Sequence, residues 1–307
     1  MTIGRILFAT DFSRHAQTAY LYALSLARAQ GAGLDILHVC CEGDWSEEDS
    51  ESCTRMKTEL SAYADGQMAA YLAPLKESIA DIRTHVVFGR RASQEVARCA
   101  GEWGADLVVA GSRGTGGLKR WIYGSTLDRM LKLLSQPVLS VTEQPDLAVD
   151  PADPATYVRF QRILVPVDFS ECSLSAVRMA RGLGAPAGAA IHLLHVLEDV
   201  FPIGFDVGMV VPFPNFHEGR LAGARQRLQA VADGLADYAG PVTTEVVPGV
   251  SALEILDRAQ EGASDLIVMG LHGRDFTGER FIGAVTDKVI RHAACPVVTM
   301  TCPLEGP

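Results

Sequence analysis

The run Gly111-Ser-Arg-Gly114-Thr-Gly-Gly-Leu-Lys-Arg-Trp-Ile-Tyr-Gly124-Ser125-Thr126 is the stretch of this sequence best equipped for chemistry. It leaves an apolar, strand-like run and enters a helix-period segment. Glycines let a backbone approach a ligand closely and adopt positive φ. The unpaired N–H groups at a helix start, with the helix dipole, favour an anion. Ser125 and Thr126 can cap that helix or donate their hydroxyls. Arg113, Lys119 and Arg120 add three positive charges. Phosphate is the anion that suits such a loop. A capped surface turn is the other reading of the same residues. The loop lacks the G-x-x-x-x-G-K-[ST] spacing of a Walker loop, and a dinucleotide fingerprint would follow a first strand, not a fourth.

The elements that must hold this loop are legible through an internal repeat. Arg5-Ile-Leu-Phe-Ala-Thr-Asp-Phe-Ser13 recurs as Arg162-Ile-Leu-Val-Pro-Val-Asp-Phe-Ser170, and Leu37-His-Val39 as Leu194-His-Val196. Asp106-Leu-Val-Val-Ala-Gly111 recurs as Asp265-Leu-Ile-Val-Met-Gly270, and Gln136-Pro-Val138 as Cys295-Pro-Val297. Between the copies, Gln144 to Pro154 holds three prolines and three aspartates without apolar periodicity, which reads as a linker. The expected domains are therefore 1–144 and 159–307, joined by 145–158.

Within the first copy, strands are expected at 5–10, 34–40, 82–88, 106–111 and 137–142, and helices at 14–30, 53–79, 92–103 and 124–135. Ala16, Ala19, Tyr20, Ala23, Leu24 and Ala27 mark one face of the first helix. Short continuous apolar runs such as Ile6–Ala9 suit strands covered on both faces. Strict β/α alternation predicts an α/β fold with doubly wound, five-stranded parallel sheets. Ligands of such sheets sit at the carboxyl ends of the strands, near a switch point.

Bulk composition narrows the function. A net charge of −10 argues against general binding of nucleic acid or of an anionic membrane. No apolar run approaches the length of a bilayer span. No leader is expected at the N-terminus, and seven cysteines without metal-ligand spacing read as reduced thiols, so a cytoplasmic protein is expected.

These landmarks together resemble the universal stress protein family (UspA-like) in its tandem two-domain form. Gly111, Gly114, Gly124 and Ser125 match the family's G-x2-G-x9-G-[S/T] signature, and Asp11 with Ser13 matches its first-strand exit. The resemblance implies two flavodoxin-like (adenine nucleotide alpha hydrolase-like) domains, each of strand order 3-2-1-4-5. It implies ATP, with Mg2+, as the cofactor. Asp11 would contact the ribose, Val39 the adenine through its backbone, and Ala110 the pocket wall. Gly111, Gly114, Gly124, Ser125 and Thr126 would hold phosphates. From the residues alone, Asp11 and Ser13 are equally well helix-capping residues. The resemblance further implies an intramolecular pseudo-dimer through the fifth strands, Val138–Thr142 and Val297–Thr301, and a homodimer of the chain as a further level. It does not identify a regulatory protein partner.

The second copy departs from the signature. Gly270, Gly273 and Gly283 keep their spacing, but Ala284 stands where the hydroxyl residue should be, and Arg274, Asp275, Glu279 and Arg280 cancel in charge. Losing one hydrogen bond to a charged group costs about 1.5–3 kcal/mol, so the second site, built on Asp168, Val196, Met269, Gly270, Gly273 and Gly283, is expected to be the weaker. Thr286, further into the helix, is a candidate substitute donor. His38 and His195 are expected to be packed, hydrogen-bonded residues, and His192 with His195 falls short of a metal site. The apolar segment from Val200 to Pro214 reads as a lid, a partner surface or a loop on the domain's own core. No G-x-S-x-G, H-E-x-x-H or recognisable Cys–His pairing is present. An ATP-binding stress-response module with ATP mainly in the first domain is the leading expectation, and no catalytic residue is assigned. A slow ATP hydrolase or nucleotidyl-transfer enzyme, and a dimerisation scaffold without nucleotide, stay open beside it.

Overall fold

The computed structural model describes residues 2–41, 50–75, 81–112, 124–144, 147–198, 214–273 and 281–301. The first half runs β1 (Arg5–Thr10), α1 (Arg14–Gln30), β2 (Gly33–Cys41), α2 (Ser50–Leu72), β3 (Ile82–Gly89), α3 (Ala92–Glu102), β4 (Leu107–Gly111), α4 (Ser125–Leu133) and β5 (Val138–Val141). The second half repeats it as β6 (Arg162–Pro166), α5 (Glu171–Gly184), β7 (Ala190–Leu197), α6 (Pro214–Asp233), β8 (Val242–Pro248), α7 (Ser251–Glu261), β9 (Leu266–Gly270), α8 (Ala284–His292) and β10 (Val297–Met300).

Double winding is written in single residues. Ile6 and Phe8 point into the core beneath α1 and α2, and Leu7, between them, into the core beneath α3 and α4. All three are fully buried, so β1 is apolar on both faces, as a strand covered on both sides must be. Ile163, Leu164 and Val165 divide the same way in β6. Helix ends follow local chemistry. Ser13 caps α1 by accepting from Ala16 N–H at 3.2 Å, and Gly31 closes it at φ 64°. The expected helix 53–79 ends earlier, at Leu72, just ahead of Pro74. Proline disfavours helical backbone in the residue before it and cannot continue the ladder.

Each half has the order 3-2-1-4-5, but the halves do not form separate sheets. They join in one ten-stranded sheet, β3-β2-β1-β4-β5-β10-β9-β6-β7-β8. All pairings are parallel except the central one, where β10 meets β5 antiparallel with Val297, Val298 and Thr299 opposite Ser140, Leu139 and Val138. Thr301 Oγ1 donates to Ser135 O at 2.6 Å across the same seam. The end of the linker is also anchored. Val158 N–H donates to Ser25 Oγ at 2.9 Å, and Phe160 packs its ring 6.1 Å from that of Tyr22.

Candidate functional site

In each half the first and fourth strands lie side by side, and the helices that follow them leave on opposite faces. That divergence opens a crevice at the carboxyl ends of the strands, the position of ligand sites in open α/β sheets. The strand register brings the candidate residues of the first half to one level. Ala9 is opposite Ala110 and Thr10 opposite His38, so Asp11, just past the end of β1, lies level with Val39 of β2 and within one residue of the level of Gly111, the last residue of β4.

The first-strand exit is closed by the same backbone-to-carboxylate bond in both halves. Ser13 N–H donates to Asp11 Oδ1 at 3.0 Å, and Ser170 N–H to Asp168 Oδ1 at 3.0 Å. The turn-forming role of Asp11 and Ser13 is therefore realised, whatever else Asp11 does. Between them, Phe12 and Phe169 stand at φ 61° and 66°, left-handed backbone that a non-glycine residue seldom adopts. Each ring lies on a histidine, Phe12 at 4.4 Å from His38 and Phe169 at 4.6 Å from His195. Those histidines bridge back. His38 Nδ1 donates to Thr10 O at 2.8 Å, and His195 Nδ1 to Val167 O at 2.6 Å, since a carbonyl can only accept. They are packed, hydrogen-bonded residues, as expected.

At the fourth strand, Ala110 is buried, Val39 is half-buried, and Gly111 faces the start of α1. A Cβ on Gly111 would meet the carbonyl carbon of His15 at 3.0 Å, so packing against α1 by itself favours glycine here. Gly124 caps α4, and its N–H donates to Ser112 O at 2.9 Å, which pins the helix start to the strand end. Ser125 and Thr126 are exposed on the first turn of that helix. Gly114, with Arg113, Lys119 and Arg120, lies outside the described residues.

The second half encloses a cavity of 780 Å³, within the range of small-molecule sites. Asp168, Val196, Met269, Gly270, Gly273 and Gly283 all line it. Asp168 Oδ2 stands 3.1 Å from where a Cβ on Gly273 would sit. Ala284 and Val285 present apolar groups where α4 has Ser125 and Thr126. Thr286 is no substitute donor, because its buried hydroxyl donates to Gly270 O at 2.9 Å. His272 also lines the cavity, and burial pushes its imidazole below the ordinary value. Sequence reasoning missed two further lining residues, Arg220 and Arg227 on α6. Arg220 Nη2 donates to Glu198 O at 3.2 Å, and the Arg227 guanidinium lies 4.0 Å from the Phe169 ring centre. Their signal was a pair of glycines, Gly219 and Gly223, inside a helix, where glycine is disfavoured without a local reason.

His192 pairs with Thr243 and Glu245, and no group of His, Cys, Asp and Glu among the described residues could hold a metal. The cysteines are not all thiols, because Cys172 is disulfide-bonded. Cys40, Cys41, Cys53, Cys99 and Cys295 are free, and burial pushes the Cys295 thiol up to about 12. Residues 199–213, most of the apolar segment, lie outside the described residues. No described helix is long and apolar enough to cross a membrane.

The sequence model of the universal stress protein family matches residues 2–142 and 159–300. A universal stress protein of Methanocaldococcus jannaschii is 29% identical over 146 residues, covering 47% of this chain and 84% of its own length. One from Mycolicibacterium smegmatis is 30% identical over 199 residues, covering 64% and 62%. In fold, the chain is similar to a universal stress protein from Archaeoglobus fulgidus, with a TM-score of 0.67, 19% identity, and 97% and 98% of the two chains covered.

Proposed function

Because the chain belongs to the universal stress protein family, we propose that it is an adenine-nucleotide-binding regulatory module that holds ATP, with Mg2+, mainly in its first domain. The observation that carries this reading is the start of α4. Gly124 is tied to the end of β4 through Ser112, and the next two residues, the hydroxyl-bearing Ser125 and Thr126, are exposed in the first turn, where the helix N–H groups emerge. A phosphate placed there meets hydroxyl donors, backbone N–H groups and the positive end of the helix together. In this reading Asp11 contacts the ribose, Val39 the adenine and Ala110 the pocket wall, while Gly111, Gly114 and Gly124 let the phosphates approach the backbone. The second half has the same crevice but Ala284 and Val285 at that helix start, which disfavours a triphosphate.

The test is a calorimetric titration of nucleotide-free protein with Mg-ATP, with Gly124→Asp as the control. Gly124 has φ −64° and ψ 145°, a conformation open to any residue, and Asp is a good helix cap. The substitution therefore sets a carboxylate against the phosphates at a position whose backbone angles any residue adopts. A stoichiometry near one that is lost in Gly124→Asp is expected. Absence of ATP binding to the unaltered chain would refute the reading.

A further inference from the structure

The two halves differ where α2 and α6 face their crevices. Ala64 and Met68 of α2 are buried against the sheet, as are Ala224 and Leu228 of α6, which aligns the helices. Glu59, Leu60, Tyr63 and Gln67 of the first half then correspond to Gly219, Arg220, Gly223 and Arg227 of the second. In the first half Tyr63 sets its ring 6.4 Å from Phe12. In the second, Gly223 has no ring to offer, and the matching Phe169 is covered by the Arg227 guanidinium. Both arginines line the 780 Å³ cavity. They sit seven residues apart on one helix, so they lie on the same face about 10 Å apart along the axis.

We propose that the second cavity is a separate site for a nucleoside monophosphate, whose phosphate is held by Arg220 and Arg227 on α6 rather than by the start of α8. This rests on the reading of the chain as a nucleotide-binding protein, and assigns the second half a ligand of its own. A guanidinium stacked on an aromatic ring keeps its N–H donors at its edge, in the plane that grips phosphate bidentately. The opposite wall, with Leu194, Val196, Ile255 and Met269, is apolar and suits a base. Charge sets the phosphate number. Two arginines share the described lining with the carboxylates of Asp168 and Glu198, so the lining is neutral in sum. The arginines grip locally, and each further phosphate adds repulsion from the carboxylates without a new cation to offset it. A monophosphate brings up to about two negative charges at neutral pH, the smallest load that still offers the guanidiniums a phosphate. A triphosphate brings about twice that, and α8 offers it no exposed hydroxyl to compensate.

The experiment is calorimetry on the full chain carrying Gly124→Asp, titrated with AMP, adenosine and Mg-ATP. AMP is expected to bind at one site per chain, at least about 10-fold more tightly than adenosine or ATP. Adding Arg227→Gln or Arg220→Gln should bring AMP down to the level of adenosine, a loss of about 10- to 150-fold. Adenosine binding should be unchanged, which shows that the cavity is intact. Ala284→Ser should leave AMP affinity where it is. No AMP binding in the Gly124→Asp chain, AMP and adenosine binding equally, or indifference to both arginine substitutions would each overturn the proposal. So would tighter AMP binding in Ala284→Ser, which would place the phosphate at α8. Failure of ATP to bind the unaltered chain is a different result, and it bears on the first site.

Discussion

Thr286 Oγ1 and the carbonyl oxygen of Gly270 are 2.9 Å apart, and this bond ties the first turn of α8 to the end of β9. The first half achieves the corresponding closure with Leu127, a buried side chain with no polar group. The same corner is therefore held by a hydrogen bond in one copy and by apolar packing in the other.

Thr286→Val keeps the shape and removes the donor to the half-buried Gly270 carbonyl. The second half should lose about 0.5–1.5 kcal/mol of stability, read as a lower urea midpoint. ATP affinity at the first half should not move. A change in ATP affinity would show that Thr286 acts beyond its own corner.

Gly270→Ala tests packing at the strand end. A Cβ there would stand 2.8 Å from Cys172 Cβ and 3.0 Å from His272 O, neither a flexible chain end. Overpacking of this kind costs about 1–3 kcal/mol. Chemical denaturation should show that loss even without nucleotide, and a stability unchanged from the parent would contradict the close approach.

His272 gives a pH dependence of defined sign. Burial holds its imidazole below its ordinary value of 6.5, so the folded chain keeps it neutral where the unfolded chain has begun to take up a proton. The unfolded state then binds more protons, and stability falls as pH drops through that value, by at most about 1.4 kcal/mol per pH unit. Comparing urea midpoints at about pH 7.5 and 5.5, the fall in the parent should exceed that in His272→Gln. Equal falls would remove His272 from the account.

Leu139 and Val298 face each other across the antiparallel seam, and both are fully buried. Leu139→Ala should cost about 2–5 kcal/mol. In a double-mutant cycle with Val298→Ala, the pair should couple by about 0.5–3 kcal/mol. Additive losses would mean that the seam is not a shared core.

The repeat, the β/α alternation and the position of the crevices were readable because each rests on local pattern. Arg5 to Ser13 and its copy carry a buried strand, a turn-forming Asp and a capping Ser in nine residues, enough to place β1 and the start of α1. The left-handed backbone of Phe12 was not readable, because no motif announces the contacts around it. Its N–H donates to Thr10 Oγ1, Ser13 N–H donates to Asp11 across it, and its ring rests on His38 of the next strand. The arginine wall of the second cavity stayed hidden for a related reason. No motif marks α6, and its correspondence to α2 emerges only once burial fixes Ala224 and Leu228 against Ala64 and Met68. The cysteines misled because pairing depends on which side chains the fold brings together, and Cys172 lies on a helix far in sequence from most of the others.

Pairing β5 with β10 head to tail also decides how the two crevices can be visited. Strand ends that point one way in the first half point the opposite way in the second, and four strand spacings plus a strand length separate them by on the order of 25 Å. A single nucleotide therefore cannot reach from one mouth to the other. Ligands at the two mouths cannot touch, so any coupling between them has to pass through the protein, by the β5–β10 ladder or by the contacts of Val158 with Ser25, Phe160 with Tyr22 and Gln30 with Gly182.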